Sequence, residues 1–279
     1  MLELKNVKKK YKDFELDCSM KVEAGKVIGL IGANGAGKST AFKAALGLIH
    51  IDGGEIHILG TNESSPEVKA QIGVVLADSG MSDYLNGMDI VAVFEKMYPT
   101  FEKEKFLQKC QHFQIPMDKQ LKEFSTGMKR KLHLLLAISH EAKLLILDEP
   151  TAGMDVIART EILDILREYM ETEDRAVLIS SHISSDLEGF CDEIYMIDRG
   201  KIILHEETDV LLDTYGILKV TDEQYENMER TGILKCRKEA YGYCLLTKEK
   251  QYYMERYPGI VIEKGSIDEV ITMMIRGDE

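Results

Sequence analysis

The chain has 279 residues, enough for one large domain or for one domain and a small appendage, and 44% of them are apolar, as in proteins with a full core. No apolar run approaches the ~20 residues that cross a bilayer, and the first residues lack the pattern of a signal peptide. A formal net charge of −13 argues against binding nucleic acid or anionic lipid through a basic face, and five scattered cysteines favour reduced thiols in the cytosol.

The predicted elements begin as short strands and then become helical. Apolar runs predict strands at residues 2–7, 14–18, 27–31, 55–59 and 72–76. Helical periodicity follows between about residues 85 and 140, with helices predicted at 88–98, 102–113 and 126–140. A strand at 143–147, a helix at 155–173 and a strand at 176–180 come next, then a hairpin around residue 199 and a short helix at 208–215. This alternation indicates an α/β fold with a parallel sheet flanked by helices.

The last ~65 residues predict a separate unit, since their elements follow the order βαββαβ with one more helix. Two of these helices begin with capping boxes, formed by Thr221 with Gln224 and by Ser266 with Glu269. The order is typical of a small split-βαβ unit.

A phosphate-binding loop is the most specific motif of the chain. The run Gly32-Ala33-Asn34-Gly35-Ala36-Gly37-Lys38-Ser39 fits the pattern G-x-x-x-x-G-K-[ST], between a predicted strand and a predicted helix. Its glycines let bare backbone N–H groups approach a phosphate chain, and the helix N-terminus favours the anion. The loop therefore predicts ATP or GTP bound by Gly32, Ala33, Asn34, Gly35, Ala36, Gly37, Lys38, Ser39 and Thr40.

Two adjacent acids end the apolar strand at 143–147. A buried strand delivers side chains at its carboxyl edge, where α/β sheets bind ligands. Asp148 can therefore reach a Mg²⁺ held by the Ser39 hydroxyl, while Glu149 can orient or deprotonate water. An acid pair at a strand end can also cap a helix, but the phosphate loop favours the metal site.

A third motif, Phe124-Ser125-Thr126-Gly127-Met128-Lys129-Arg130, opens a predicted helix shortly before the acidic strand. Here the chain resembles the ATP-binding cassette (ABC) family, whose signature usually reads L-S-G-G-Q at this spacing. Phe124, Thr126 and Met128 depart from that pattern, while Ser125 and Gly127 keep it. A finer resemblance is to ATP-binding subunits of bacterial exporters whose signature runs S-x-G-M-K.

The resemblance covers about residues 1–210 and implies a P-loop NTPase fold. Its parts are a parallel core sheet, an N-terminal antiparallel sheet and a helical subdomain inserted at about 80–140. Residues 211–279 then form a small α+β C-terminal extension. Two copies, identical or different, would pair head-to-tail, with ATP between the phosphate loop of one and the signature of the other.

Further site residues follow only from the resemblance. Asp155, in the loop after the acids, would join Ser125 and Gly127 at the ATP of the partner subunit. His182 ends the next strand and would sense the γ-phosphate and position water, and Tyr11 would stack on adenine.

The family's glutamine after strand 72–76 is missing, because Ala77 and Asp78 stand near its place. Asp78 could bind Mg²⁺ through water, or the role could be lost. Either way, the predicted cofactors are ATP and Mg²⁺.

The predicted function is an ATPase subunit that drives export through a separate membrane permease, peripheral at the cytoplasmic face of the cell membrane. No nucleic-acid partner is expected. Two alternatives stay open at this point. One is a soluble cassette ATPase acting on ribosomes or nucleic acid, which the acidic charge disfavours. The other is a nucleotide-sensing module without turnover, which the altered signature and missing glutamine suggest but Glu149 and His182 argue against.

Overall fold

Two sheets organise the part of the chain that this computed structural model describes, residues 1–62, 65–77 and 80–278. The strands are β1 (Leu2–Lys10), β2 (Glu15–Val22), β3 (Val27–Ile31), β4 (Gly53–Ile58), β5 (Ile72–Val75), β6 (Leu144–Asp148), β7 (Ala176–Ser181), β8 (Glu193–Asp198), β9 (Lys201–Glu207), β10 (Gly216–Val220), β11 (Ile233–Glu239), β12 (Gly242–Thr247) and β13 (Val261–Lys264). The helices are α1 (Lys38–Ala45), α2 (Pro66–Lys69), α3 (Gly87–Met97), α4 (Lys103–His112), α5 (Thr126–Ile138), α6 (Val156–Met170), α7 (Ser184–Glu188), α8 (Thr208–Thr214), α9 (Asp222–Asn227), α10 (Lys250–Arg256) and α11 (Ile267–Arg276).

The larger sheet has the strand order β4-β1-β2-β9-β8-β3-β7-β6-β5. Strands β8, β3, β7, β6 and β5 run parallel, while β1 pairs antiparallel with both β2 and β4. Every residue of β3 and β6 is buried, as expected for strands covered on both faces. The predicted parallel core sheet and N-terminal antiparallel pairing are therefore confirmed.

Helices α3, α4 and α5 lie between β5 and β6 in the chain, as the helical periodicity predicted. They share a buried apolar core that continues into the parallel sheet. Its members from these helices include Ile90, Val91, Phe106, Cys110, Leu132 and Leu135. None of the described helices is both long and apolar enough to cross a membrane.

The C-terminal sheet has the order β11-β12-β10-β13 and is antiparallel throughout. This is the arrangement of a split-βαβ unit, and the two predicted capping boxes are present at α9 and α11. Residues alternate across β10, so Leu218 packs in a core with Tyr253 of α10. Its neighbour Ile217 faces the opposite side, in a core shared with Val270 of α11 and with the cassette.

Two short helices, α2 and α7, were not predicted. They have four and five residues, too few to show a 3.6-residue apolar repeat. Helix α7 lies next to a predicted site residue, because it begins two residues after His182.

Candidate nucleotide-binding site

The phosphate loop connects β3 to α1 and is packed tightly against its surroundings. A Cβ on Gly32 would lie 2.3 Å from the carbonyl oxygen of Ile197 in β8. Gly37 has φ 116°, and a Cβ there would lie 2.9 Å from the Phe14 ring. The Gly200 N–H donates to the carbonyl oxygen of Ala36 at 2.8 Å, which fixes the loop against the β8–β9 turn. Side chains larger than hydrogen would therefore push the loop out of the shape that phosphates require.

Lys38 is held at the mouth of this loop. Its ammonium donates to the carbonyl oxygen of Gly32 at 2.7 Å and lies 3.1 Å from Oε1 of Glu149. The side chain is only 6% exposed, so its charge is directed into the site rather than into solvent. A buried ammonium beside bare backbone N–H groups is suited to neutralising phosphate oxygens.

The two acids stand at the carboxyl edge of the sheet, beside β7. The Ser180 hydroxyl donates a hydrogen bond to Oδ1 of Asp148 at 2.7 Å, and Oγ of Ser180 accepts one from the backbone N–H of Glu149 at 3.0 Å. Asp148 is 2% exposed. Glu149 has φ 52°, so the chain turns sharply as it leaves the strand. Ser180 therefore fixes both acids, a role that sequence analysis missed.

The Glu149 carboxylate bridges two basic side chains. One oxygen faces Lys38, and the other accepts from Nδ1 of His182. His182 is 45% exposed and lies at the end of β7, next to the acidic pair in the parallel register. The structure thus brings Lys38, Asp148, Glu149 and His182 into one cluster.

The signature residues lie apart from this cluster. Ser125 caps α5 by accepting from the Met128 N–H at 3.2 Å, and Asp155 caps α6 by accepting from the Ala158 N–H at 2.9 Å. Both are exposed, and Gly127 is half-buried against Ala158. Within the described residues, no hydrogen bond or ion pair joins these side chains to the phosphate loop or the acids.

Tyr11 stays close to the phosphate loop. It is 49% exposed, and its ring centroid lies 6.2 Å from that of Phe14, which packs on Gly37. Its proposed stacking on adenine stays a prediction. Asp78 falls outside the described residues, so its proposed role stays a prediction too.

A buried ionic network behind the site also escaped sequence analysis. Asp186 of α7, 2% exposed, accepts from the Thr151 hydroxyl at 2.7 Å and lies 3.4 Å from Nη1 of Arg159 in α6. These contacts join three segments distant in the chain, so no local motif signals them. They tie the helix after His182 to the loop after Glu149.

Mg²⁺ suits the donor set of this site. Among the described residues, no group of three or more His, Cys, Asp or Glu side chains could hold a metal by itself. Mg²⁺ characteristically binds through one or two protein oxygens together with water and substrate phosphates. The exposed Ser39 hydroxyl at the start of α1 and the Asp148 carboxylate offer that kind of partial coordination.

Comparisons with known proteins place the chain in a family. The profile of the ABC transporter family matches residues 16–152, and that of an AAA domain (putative AbiEii toxin, type IV TA system) matches residues 120–185. The lantibiotic transport ATP-binding protein SrtF of Streptococcus pyogenes is 36% identical over 214 residues, covering 75% of this chain and 92% of its own. The bacitracin transport ATP-binding protein BcrA of Enterococcus faecalis is 30% identical over 216 residues, with coverage of 75% and 70%.

Solved structures of ATP-binding cassettes are similar in fold to this chain. An ATP-binding subunit of an ABC transporter superposes with a TM-score of 0.68 at 25% identity, covering 76% of this chain and 91% of its own. The dimeric cassette MJ0796, described in a post-hydrolysis state with ADP and Pi, has a TM-score of 0.66 at 20% identity, covers 75% and 99%, and supports the fold. The chain therefore belongs to the ABC transporter family and is an ABC ATPase, the ATP-binding subunit of a transporter.

Proposed function

We propose that this subunit hydrolyses Mg-ATP at the interface of a head-to-tail dimer and delivers the work to a separate membrane permease for export. The observation that carries the proposal is the Glu149 carboxylate, held between Lys38 and His182 beside the buried Asp148. A carboxylate fixed next to a phosphate-binding lysine is placed to orient or deprotonate an attacking water.

Each residue of the cluster has a distinct task in this proposal. Lys38 neutralises charge on the β- and γ-phosphates, and Ser39 with Asp148 would hold Mg²⁺, which would supply further positive charge to the phosphates. Glu149 polarises water, and His182 orients Glu149 and meets the γ-phosphate. Catalysis is then positioning and charge stabilisation, without a covalent intermediate on the protein.

Ser125, Gly127 and Asp155 would serve the ATP of a partner subunit. The support is the position of all three at or near helix N-termini, where Ser125 and Asp155 are exposed and their side chains cap their own helices. A helix N-terminus favours an anion such as a γ-phosphate. The partner is a second copy or another ATP-binding subunit, and the net charge of −13 argues against a nucleic-acid partner.

The permease would dock in a groove lined by the end of α1 and the loop after it, by β4, α2 and β5, and by Tyr98 at the end of α3. This groove has a volume of about 850 Å³. It is lined mostly by apolar side chains, among them Leu48, Ile49, Ile56, Val74, Leu76 and Tyr98. Leu48 is 58% exposed within this apolar lining, and a contiguous exposed apolar patch is typical of a protein interaction site. This docking would hold the subunit at the cytoplasmic face of the membrane.

We divide the chain into an ATP-binding domain at 1–210, with a helical subdomain at about 80–140, and a C-terminal unit at 211–279. The C-terminal sheet and its own core of Leu218, Leu245 and Tyr253 support this division. The unit also meets the cassette, because the Ile267 N–H of α11 donates to Glu188 of α7 at 3.2 Å. We assign it a regulatory rather than nucleotide-binding role.

The permease claim is tested by co-purification from membranes with the tagged chain, comparing Leu48→Glu with Tyr241→Glu. Tyr241 is 95% exposed in the β11–β12 turn and serves as the control. Leu48→Glu should lose the permease and permease-stimulated ATP hydrolysis while keeping basal hydrolysis. Equal retention of the permease by both variants would remove the groove from the docking site.

A further inference from the structure

Arg130 differs from the basic residues on either side of it in α5. Lys129 lies 2.7 Å from Asp83, and Lys131 lies 2.6 Å from Glu161, so each neighbour has an acidic partner. Arg130 is half-buried, and no carboxylate of the described residues lies within ion-pair distance of it. Its Nη1 donates a hydrogen bond to the carbonyl oxygen of Leu76, at 3.4 Å. A half-buried guanidinium that has no carboxylate partner among the described residues needs an explanation.

The position of Leu76 supplies that explanation. Strands β5 and β6 are parallel, and their register ends with Val75 opposite Leu147. Leu76 follows Val75 and Asp148 follows Leu147, so these two residues lie at the same edge of the sheet. The hydrogen bond to Leu76 therefore brings Arg130 to the edge that carries the acidic pair. Burial lowers the pKa of the Arg130 guanidinium, and attraction to Asp148 and Glu149 opposes that effect. Arginine nevertheless stays charged, since its ordinary pKa is so high.

Two adjacent carboxylates at one sheet edge repel each other. Lys38 and His182 both contact Glu149, whereas the contact of the Asp148 side chain is with the neutral Ser180 hydroxyl. Arg130 adds a fixed positive charge on the side of the pair that faces α5. Its hydrogen bond to the Leu76 carbonyl oxygen keeps this charge in place, which the flexible chain of a lysine does less well.

We propose that Arg130 is a positioning residue for Asp148 and Glu149 of its own chain. The inference rests on the proposed hydrolysis at a composite site and adds a residue to it. It also separates two tasks on one helix. The start of α5, with Ser125 and Gly127, would face the ATP of the partner, while Arg130 five residues later acts on the site of its own chain.

The first test compares Arg130→Gln, Arg130→Lys and the control Lys131→Gln. Phosphate release gives kcat and KM, and titration with a fluorescent ATP analogue gives affinity. Arg130→Gln should lower kcat about tenfold with affinity within about twofold of the parent, because it removes a fixed positive charge near both acids and leaves the phosphate loop intact. Arg130→Lys should recover part of kcat, and Lys131→Gln should behave like the parent. Equal kcat for Arg130→Gln and Lys131→Gln, or an equal loss of affinity and kcat, overturns the proposal.

The second test asks whether Arg130 acts on the ATP site of its own chain or on that of the partner. Heterodimers with a Lys38→Ala chain keep one competent phosphate loop, that of the other chain. Arg130→Gln should lower turnover when it is in that other chain, and should have little effect when it is combined with Lys38→Ala. The reverse result overturns the assignment to the chain's own acids. An inactive heterodimer of the Lys38→Ala chain with the parent would instead contradict the proposed function at another point, by showing that one complete site does not turn over alone.

Discussion

The two halves of the nucleotide site are built differently. Lys38, Asp148 and Glu149 are largely buried and contact one another or neighbouring strands of the same chain. Ser125 and Asp155 are exposed, and their side-chain bonds only close the first turns of their own helices. The residues of the first half make their contacts within one chain, whereas Ser125 and Asp155 of the second half face solvent.

This difference has a physical basis. Charged groups that are buried must be paired or hydrogen-bonded, so the acids and Lys38 lock each other in place. Helix caps need no further partner for folding, and they leave N-terminal N–H groups available to an anion. In the proposed function, such a site, with one rigid half and one outward-facing half, would be completed by closure of two chains.

Glu149→Gln, in the buried half of the site, should have the largest effect on ATP turnover. The amide keeps the size of the side chain but cannot serve as a base for water, so turnover should fall about 10²- to 10⁴-fold. ATP should still bind and should hold the two halves together. Gel filtration with Mg-ATP should show a dimer, while Glu173→Gln, at an exposed position just after α6, should turn over normally. Near-normal turnover of Glu149→Gln would remove this residue from the mechanism.

Mixing two variants, each altered in a different half of the site, tests whether the two halves come from different chains. Lys38→Ala removes phosphate neutralisation, and Gly127→Asp places an anion where a partner's γ-phosphate would dock. Each variant alone should be nearly inactive. Mixed, they should form one competent site per heterodimer, because an intact phosphate loop then meets an intact signature. Phosphate release from the mixture measures the rescue, and a lack of rescue in heterodimers shown to form by mass would contradict the composite site.

Glu188→Ala has the smallest expected effect and concerns the C-terminal unit. It removes the acceptor of the Ile267 N–H and an anion at the start of α11, weakening that contact by about 1 kcal/mol. Since α7 follows His182, kcat or permease stimulation should change two- to fivefold, which corresponds to that energy, while ATP affinity stays constant. Hydrolysis assays with and without the permease measure the change.

A matched control for this contact is Glu226→Ala, an exposed position on α9 within the same unit. It should leave both basal and stimulated hydrolysis as in the parent. If Glu188→Ala and Glu226→Ala behave alike, the contact through α7 does not link the C-terminal unit to the site. A loss of ATP binding in Glu188→Ala would instead mean that the unit supports the core of the cassette.

Local chemistry made much of this protein predictable from its sequence. The phosphate loop follows from the turn that Gly32 and Gly37 permit, and the acid pair follows from the end of an apolar strand. The capping boxes of α9 and α11 need only residues three apart. Strand and helix patterns also indicated the parallel core and the split-βαβ order, because each element carries its own apolar period.

Only the tertiary structure determined which side chains contact one another around the site. Ser180 and Asp186 belong to no motif, and Arg130 ends the signature segment without a role of its own in it; the hydrogen-bond partners of these three residues lie 31 to 54 residues away in the chain. Parallel register brings Ser180 to Asp148, and packing of α5 on β5 brings Arg130 to the same edge. Such contacts depend on how strands align and helices pack over long separations, which residue patterns within one element do not encode. The sequence by itself therefore determined the ligand and the architecture, whereas the folded chain determined how its catalytic charges are held.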